Sequence, residues 1–129
     1  MDKREIFHPE KKDRHFTTGA YSDAIAVDGW LYISGQGPID FTQAAFALGS
    51  IEAETALTLH NLRCIVTAAG GSVESIVKCT VHLADINDFP AFNKIYADFF
   101  PGIKPARTTV QSVLGSGIKI EIDAIARIA

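Results

Sequence analysis

The chain has 129 residues, 47% of them hydrophobic and 21% charged, with a formal net charge of −3. That balance excludes a disordered segment, and it lacks the clustered Lys and Arg excess that binds nucleic-acid phosphates. No apolar run approaches the roughly 20 residues that a membrane-spanning helix needs.

One domain over residues 1–129 is expected, large enough to bury about two thirds of the surface its unfolded chain exposes. The start, Met1-Asp2-Lys3-Arg4-Glu5, is charged and offers no secretory signal, so a cytoplasmic protein is expected. Cys64 falls in a helical pattern and Cys79 in a strand pattern, with no C-x-x-C spacing, so both read as reduced thiols. Lys11, Lys12 and Arg14 form a basic cluster interrupted by Asp13, which reads as a solvated segment.

In chain order, residues 24–34 place Asp28-Gly29 between two β-prone runs, a strong hairpin signal. A two-residue turn sets Val27 opposite Trp30, Ile25 opposite Tyr32 and Asp23 opposite Ser34; extended further, it sets Tyr21 opposite Gln36. Residues 40–50 read as a loop. From Ile51 to Ala69, Leu59, Leu62, Val66 and Ala69 recur at helical spacing, and Gly70-Gly71 supplies the stop. Residues 76–83 alternate, with Val77, Cys79, Val81 and Leu83 on a dry face and Ile76, Lys78, Thr80 and His82 on the other. Asn87 or Asp88 can cap a second helix with Pro90 in its first turn, and Pro101-Gly102 ends it. Thr108–Leu114 and Ile118–Ile128 read as strands joined through Gly115-Ser116-Gly117.

The order β-β-α-β-α-β-β predicts an α+β fold with two helices on one sheet face. The other face is left uncovered, with Thr80, His82 and Thr109 among apolar neighbours, which points to oligomerisation.

Arg107, just past Pro105 at a strand entry, carries the planar fork of donors that grips a carboxylate with two parallel bonds. Taken alone, it reads more readily as a surface or ion-pair residue than as a site. Glu121 and Asp123 share one strand face, while Ile120, Ile122 and Ala124 share the other. A carboxyl on that face would be solvated, unless a second subunit covers it and suits it to proton transfer near neutral pH. Ser34-Gly35-Gln36 reads either as a backbone approach for a ligand or as a bulge. Tyr21 and Asn93 read as packed or solvent-facing residues by themselves. His8, His15, His60 and His82 have no metal-site spacing, and no G-x-S-x-G elbow or phosphate loop occurs.

Gly19-Ala20-Tyr21-Ser22, Ile33-Ser34-Gly35-Gln36, Asn87-Asp88-Phe89, Phe92-Asn93-Lys94-Ile95-Tyr96, Pro105-Ala106-Arg107 and Ile120-Glu121-Ile122-Asp123-Ala124-Ile125-Ala126 stand in one order and spacing over nearly the whole chain. Together they resemble the Rid family, also called YjgF. The resemblance implies a fold similar to chorismate mutase and a homotrimer with a central barrel and clefts between subunits. It also implies hydrolysis of 2-imino acids and their enamine tautomers to 2-oxo acids and ammonia, without metal or organic cofactor. Arg107 would then clamp the substrate carboxylate, and Glu121 would position or activate the attacking water. Tyr21, Ser34, the Gly35 backbone and Asn93 would line the cleft. Ala20 stands where these deaminases commonly have proline, and Thr109, which would share the cleft, stands where they commonly have cysteine. Both departures bear on the substrate. Two alternatives remain: a non-catalytic module sensing a small carboxylate, and the RNA cleavage attributed to some relatives, which the acidic balance opposes.

Overall fold

The computed structural model describes residues 2–129. Its strands are β1 (Arg4–Ile6), β2 (Ala24–Val27), β3 (Trp30–Gln36), β4 (Ile39–Asp40), β5 (Ala45–Phe46), β6 (Ile76–Leu83), β7 (Ala106–Gln111) and β8 (Ile120–Arg127); its helices are α1 (Ile51–Ala68) and α2 (Phe89–Phe99). Six strands form one sheet in the order β1-β2-β3-β8-β6-β7, and β4 and β5 form a small separate ladder. Only β6 and β7 run parallel, linked through α2. This is the expected α+β class, with β1 and the β4–β5 ladder added.

The hairpin forms in the expected register, Val27 with Trp30 and Ile25 with Tyr32. Asp28 (φ 53°) and Gly29 (φ 80°) both adopt positive φ, which the two-residue turn requires. Past Ala24 the ladder ends. Ser34 N–H still donates to Asp23 O at 3.0 Å, but the chain then leaves the sheet, so Tyr21 does not pair with Gln36. Gln36 instead pairs with Ile122, while Ile33 pairs with Ala124. Ser34 and Gly35 together oppose Asp123 and form a β-bulge.

Ser50 caps α1 by accepting the Ala53 N–H at 3.1 Å, and Gly70 takes the positive φ that stops it. Leu59, Leu62, Ile65 and Val66 pack against Leu31, Val81, Ile122 and Phe92 in the core. One expected face is corrected. A register irregularity between Ile76 and Lys78 turns Ile76 inward and leaves Val77 exposed, so the dry face of β6 is Ile76, Cys79, Val81 and Leu83. Pro90 sits in the first turn of α2 as expected; the turn before it is capped by Asp85, whose carboxylate accepts the Asn87 N–H at 2.9 Å.

Both helices lie on one face of the sheet. Trp30, Tyr32 and Val110 stand exposed on the other, 37%, 47% and 39% accessible. No helix among the described residues is long and apolar enough to cross a membrane.

Candidate active site

Residue pairing fixes which way each candidate side chain points. Cys79, buried in the core, is the register partner of Arg107, and Val81 is the partner of Thr109. Arg107 and Thr109 therefore face α2. Glu121 pairs with His82 and Asp123 with Thr80, so both carboxylates lie on the open face. The sequence reading placed Thr109 with Thr80 and His82 at an uncovered surface; the parallel register of β7 puts it on the helix side instead.

Around Arg107, α2 builds a partly apolar cage. The guanidinium carbon lies 4.7 Å from the Tyr96 ring centroid and 5.4 Å from those of Phe89 and Phe92. These ring faces favour a cation over them. One guanidinium nitrogen donates to Asn93 Oδ1 at 2.8 Å, its one hydrogen-bond partner among the described residues. The other donors remain for an incoming acceptor, and β7 is the outer strand of the sheet, so that acceptor can reach them. The hydroxyls of Thr109 and Tyr96 are buried without a partner among the described residues. Burial holds the Tyr96 hydroxyl and the Cys79 thiol above their usual ranges, so both stay protonated beside Arg107.

Around Glu121, the bulge in β3 does the positioning. A Cβ on Gly35 would lie 2.5 Å from Glu121 Oε2, so only glycine leaves this carboxylate its place. Ser34 Oγ donates to Ser22 O at 2.6 Å and ties the loop carrying Tyr21 to the bulge. Tyr21 hydrogen-bonds Thr18 through its hydroxyl and lines a shallow pocket with Gly35 and Gln36. Beyond Glu121, His82 Nδ1 lies 2.9 Å from Ser112 Oγ and its Nε2 lies 3.6 Å from Asp123 Oδ2. In the sequence His82 has no metal-site spacing to single it out. Strand alternation placed it on the polar face, but only the β6–β8 register puts it beside Glu121.

The candidates thus fall into two clusters: Arg107, Asn93 and Thr109 on the helix side, and Glu121, Gly35, Ser34 and Tyr21 on or beside the open face. One chain does not bring Arg107 and Glu121 together.

Residues 12–128 match the family model described as Endoribonuclease L-PSP. The 2-iminobutanoate/2-iminopropanoate deaminase of Rattus norvegicus is 45% identical over 109 residues, covering 84% of this chain and 80% of that protein. The crystal structure of the Rid-family protein YyfA from Yersinia pestis superposes with a TM-score of 0.90 at 36% identity, covering 98% of this chain and 100% of that one. Escherichia coli TdcF, solved with bound serine, gives a TM-score of 0.87 at 31% identity, covering 98% and 100%. The chain belongs to the Rid (YjgF) family. Its expected kinship with that fold is thereby met over nearly its full length.

Proposed function

We propose that this Rid-family chain hydrolyses 2-imino acids and their enamine tautomers to 2-oxo acids and ammonia, in clefts between the subunits of a homotrimer. The observation that carries the reading is the unspent donor capacity of Arg107 in its aromatic cage, open at the sheet edge. The division of the candidate residues supports the oligomer. Arg107 of one protomer and Glu121 of the next would supply opposite walls of one cleft.

Arg107 takes the substrate carboxylate through two parallel N–H···O bonds, with Asn93 fixing the guanidinium plane. Glu121, backed by the Gly35 bulge, holds a water toward the iminium carbon, which is electrophilic before the enzyme acts. Water adds to C=N and its proton passes to the carboxylate. The C–N bond of the resulting carbinolamine breaks as that proton is returned to nitrogen and Glu121 takes the hydroxyl proton to form C=O; the products are a 2-oxo acid and ammonia, which leaves with that last proton as ammonium. Orientation supplies most of the rate, because the chemistry needs a placed water and proton management. This scheme uses no metal or organic cofactor. The relative named a 2-iminobutanoate/2-iminopropanoate deaminase and the relative solved with serine both support a small amino-acid-derived ligand. We assign the protein to the cytoplasm, where Cys64 and Cys79 stay reduced.

The test generates 2-iminobutyrate or 2-iminopropionate with an amino-acid oxidase and follows loss of the imine. Acceleration is expected, and Arg107→Ala lowers kcat/KM by at least about 100-fold while the assembly persists. No acceleration across a panel of imino acids sinks the proposal. Tight 2-oxo-acid binding without turnover would instead make the chain a carboxylate sensor, and RNA cleavage with a steep salt dependence would make it a nuclease.

A further inference from the structure

The sequence spacing of the histidines gives no metal site, yet the fold brings Glu10, His60 and Cys64 together, with His8 behind Glu10, away from both clusters described above. His60 and Cys64 lie one turn apart on α1, and the segment after β1 returns His8 and Glu10 to them. His60 Nε2 lies 3.1 Å from each carboxylate oxygen of Glu10 and 3.4 Å from Cys64 Sγ. Donor atoms of His8, Glu10 and Cys64 lie within 4.8 Å of one another.

We propose that Glu10, His60 and Cys64, with a water in the fourth position, form a divalent-cation site that takes zinc(II), stapling the N-terminal segment to α1. Metal bonds of about 2.0–2.2 Å to nitrogen and oxygen and about 2.3 Å to sulfur put neighbouring corners of a tetrahedron about 3.3–3.6 Å apart. The His60–Glu10 and His60–Cys64 separations, 3.1 and 3.4 Å, already stand close to that spacing, and Glu10 and Cys64 lie within 4.8 Å of each other. Hydrogen bonding alone satisfies the cluster poorly: His60 Nε2 carries one proton at most and faces two carboxylate oxygens and a sulfur. A cation at the centre satisfies all of them at once.

The orientation of His8 is fixed independently. Asn61 Nδ2 donates to Gly37 O at 3.1 Å and Ile39 O at 2.9 Å, so Asn61 Oδ1 is the atom left to accept the His8 Nε2 proton, at 3.0 Å. His8 Nδ1 is then unprotonated, and its lone pair takes the Glu10 N–H at 3.1 Å, so His8 spends both ring nitrogens on protein partners and anchors the backbone of Glu10. Hydrogen bonds behind a ligand that fix its position are how metal sites are held, and buried His8 supplies one behind Glu10.

Charge and softness agree. A neutral imidazole, a carboxylate and a thiolate carry −2, which balances zinc(II), and a nitrogen, oxygen and sulfur set suits zinc over calcium or magnesium. Binding replaces the Cys64 S–H bond with S–Zn and releases one proton to solvent. The side chains of His60 and Glu10 are 42% and 37% exposed, so a cation can enter from water.

The experiment strips the full chain with a chelator, then titrates zinc by calorimetry and cobalt(II) by absorption. One zinc per chain is expected, with a sulfur-to-cobalt charge-transfer band and the intense visible bands of tetrahedral cobalt. Cys64→Ser removes the charge-transfer band, and His60→Gln weakens zinc binding at least about tenfold. Zinc raises the unfolding midpoint of the parent chain and not that of Cys64→Ser. The proposal is overturned by the absence of stoichiometric binding, by a cobalt spectrum without the sulfur band, or by affinity unchanged in both variants.

Discussion

At Gly35 a Cβ would meet Glu121 Oε2 at 2.5 Å and Cδ at 2.8 Å, the movable end of a side chain rather than backbone. Gly35→Ala therefore displaces the carboxylate and leaves the fold standing. If Glu121 holds the water, imine hydrolysis falls at least about tenfold with the thermal midpoint nearly unchanged. A rate equal to the parent's would remove Glu121 from that role. Asp40 offers a second reading at a single residue. Its carboxylate accepts from the Thr42 hydroxyl at 2.6 Å, and from the Thr42 and Gln43 N–H groups at 3.0 and 3.2 Å. The Thr42 hydroxyl above all lowers its proton affinity below the ordinary value of 3.8. The folded state then binds the proton less readily than the unfolded chain. Its contribution to stability is complete above 3.8 and is lost as pH falls through the lower folded value. A carbon NMR titration should place the Asp40 inflection below 3.8, and Thr42→Ala should move it back up.

Helix α1 joins the two layers, and its end and its middle contribute separately. Ser50→Ala frees the Ala53 N–H and should cost about 1 kcal/mol. Leu62, fully buried, should cost about 2–5 kcal/mol on truncation to alanine. Denaturant unfolding distinguishes the two by midpoint, and equal costs would mean the sheet-facing side of α1 is not where its stability lies. The same helix was legible in the sequence because eighteen residues give its period five turns to repeat. Short elements carry no such signal. β1 has three residues and β4 and β5 two each, too few for an alternation to show. Val77 reads as buried until the irregularity before Lys78 reverses it. The candidate site divides in the same way. Individual polar positions, Arg107 and Glu121 among them, follow from alternation within a strand. Their being on opposite faces follows from the parallel β6–β7 pairing and the antiparallel β6–β8 pairing, which no local pattern encodes.

On the scale of the whole molecule, the open face carries Trp30, Tyr32 and Val110 with Ile25 and Ile125 half-buried beside them, an apolar strip broken by Glu121 and His82. A second and third copy covering it is the arrangement the proposed clefts need. Light scattering should return three chain masses. Tyr32→Glu, which sets a charge in the strip, should lower that mass while far-ultraviolet dichroism is unchanged. A monomeric parent chain would leave the two clusters of the candidate site apart.

The strand order has a consequence for how the protein is made. β8 follows every other strand along the chain, yet it lies in the middle of the sheet, between β3 and β6. The β1-β2-β3 meander and the β6–β7 pair can each close without it, but they remain two fragments with bare edges until residues 120–127 dock between them. A chain whose last strand has not yet docked therefore holds out the edges of β3 and β6 to any neighbouring chain, and this is the interval in which a chaperone has something to protect.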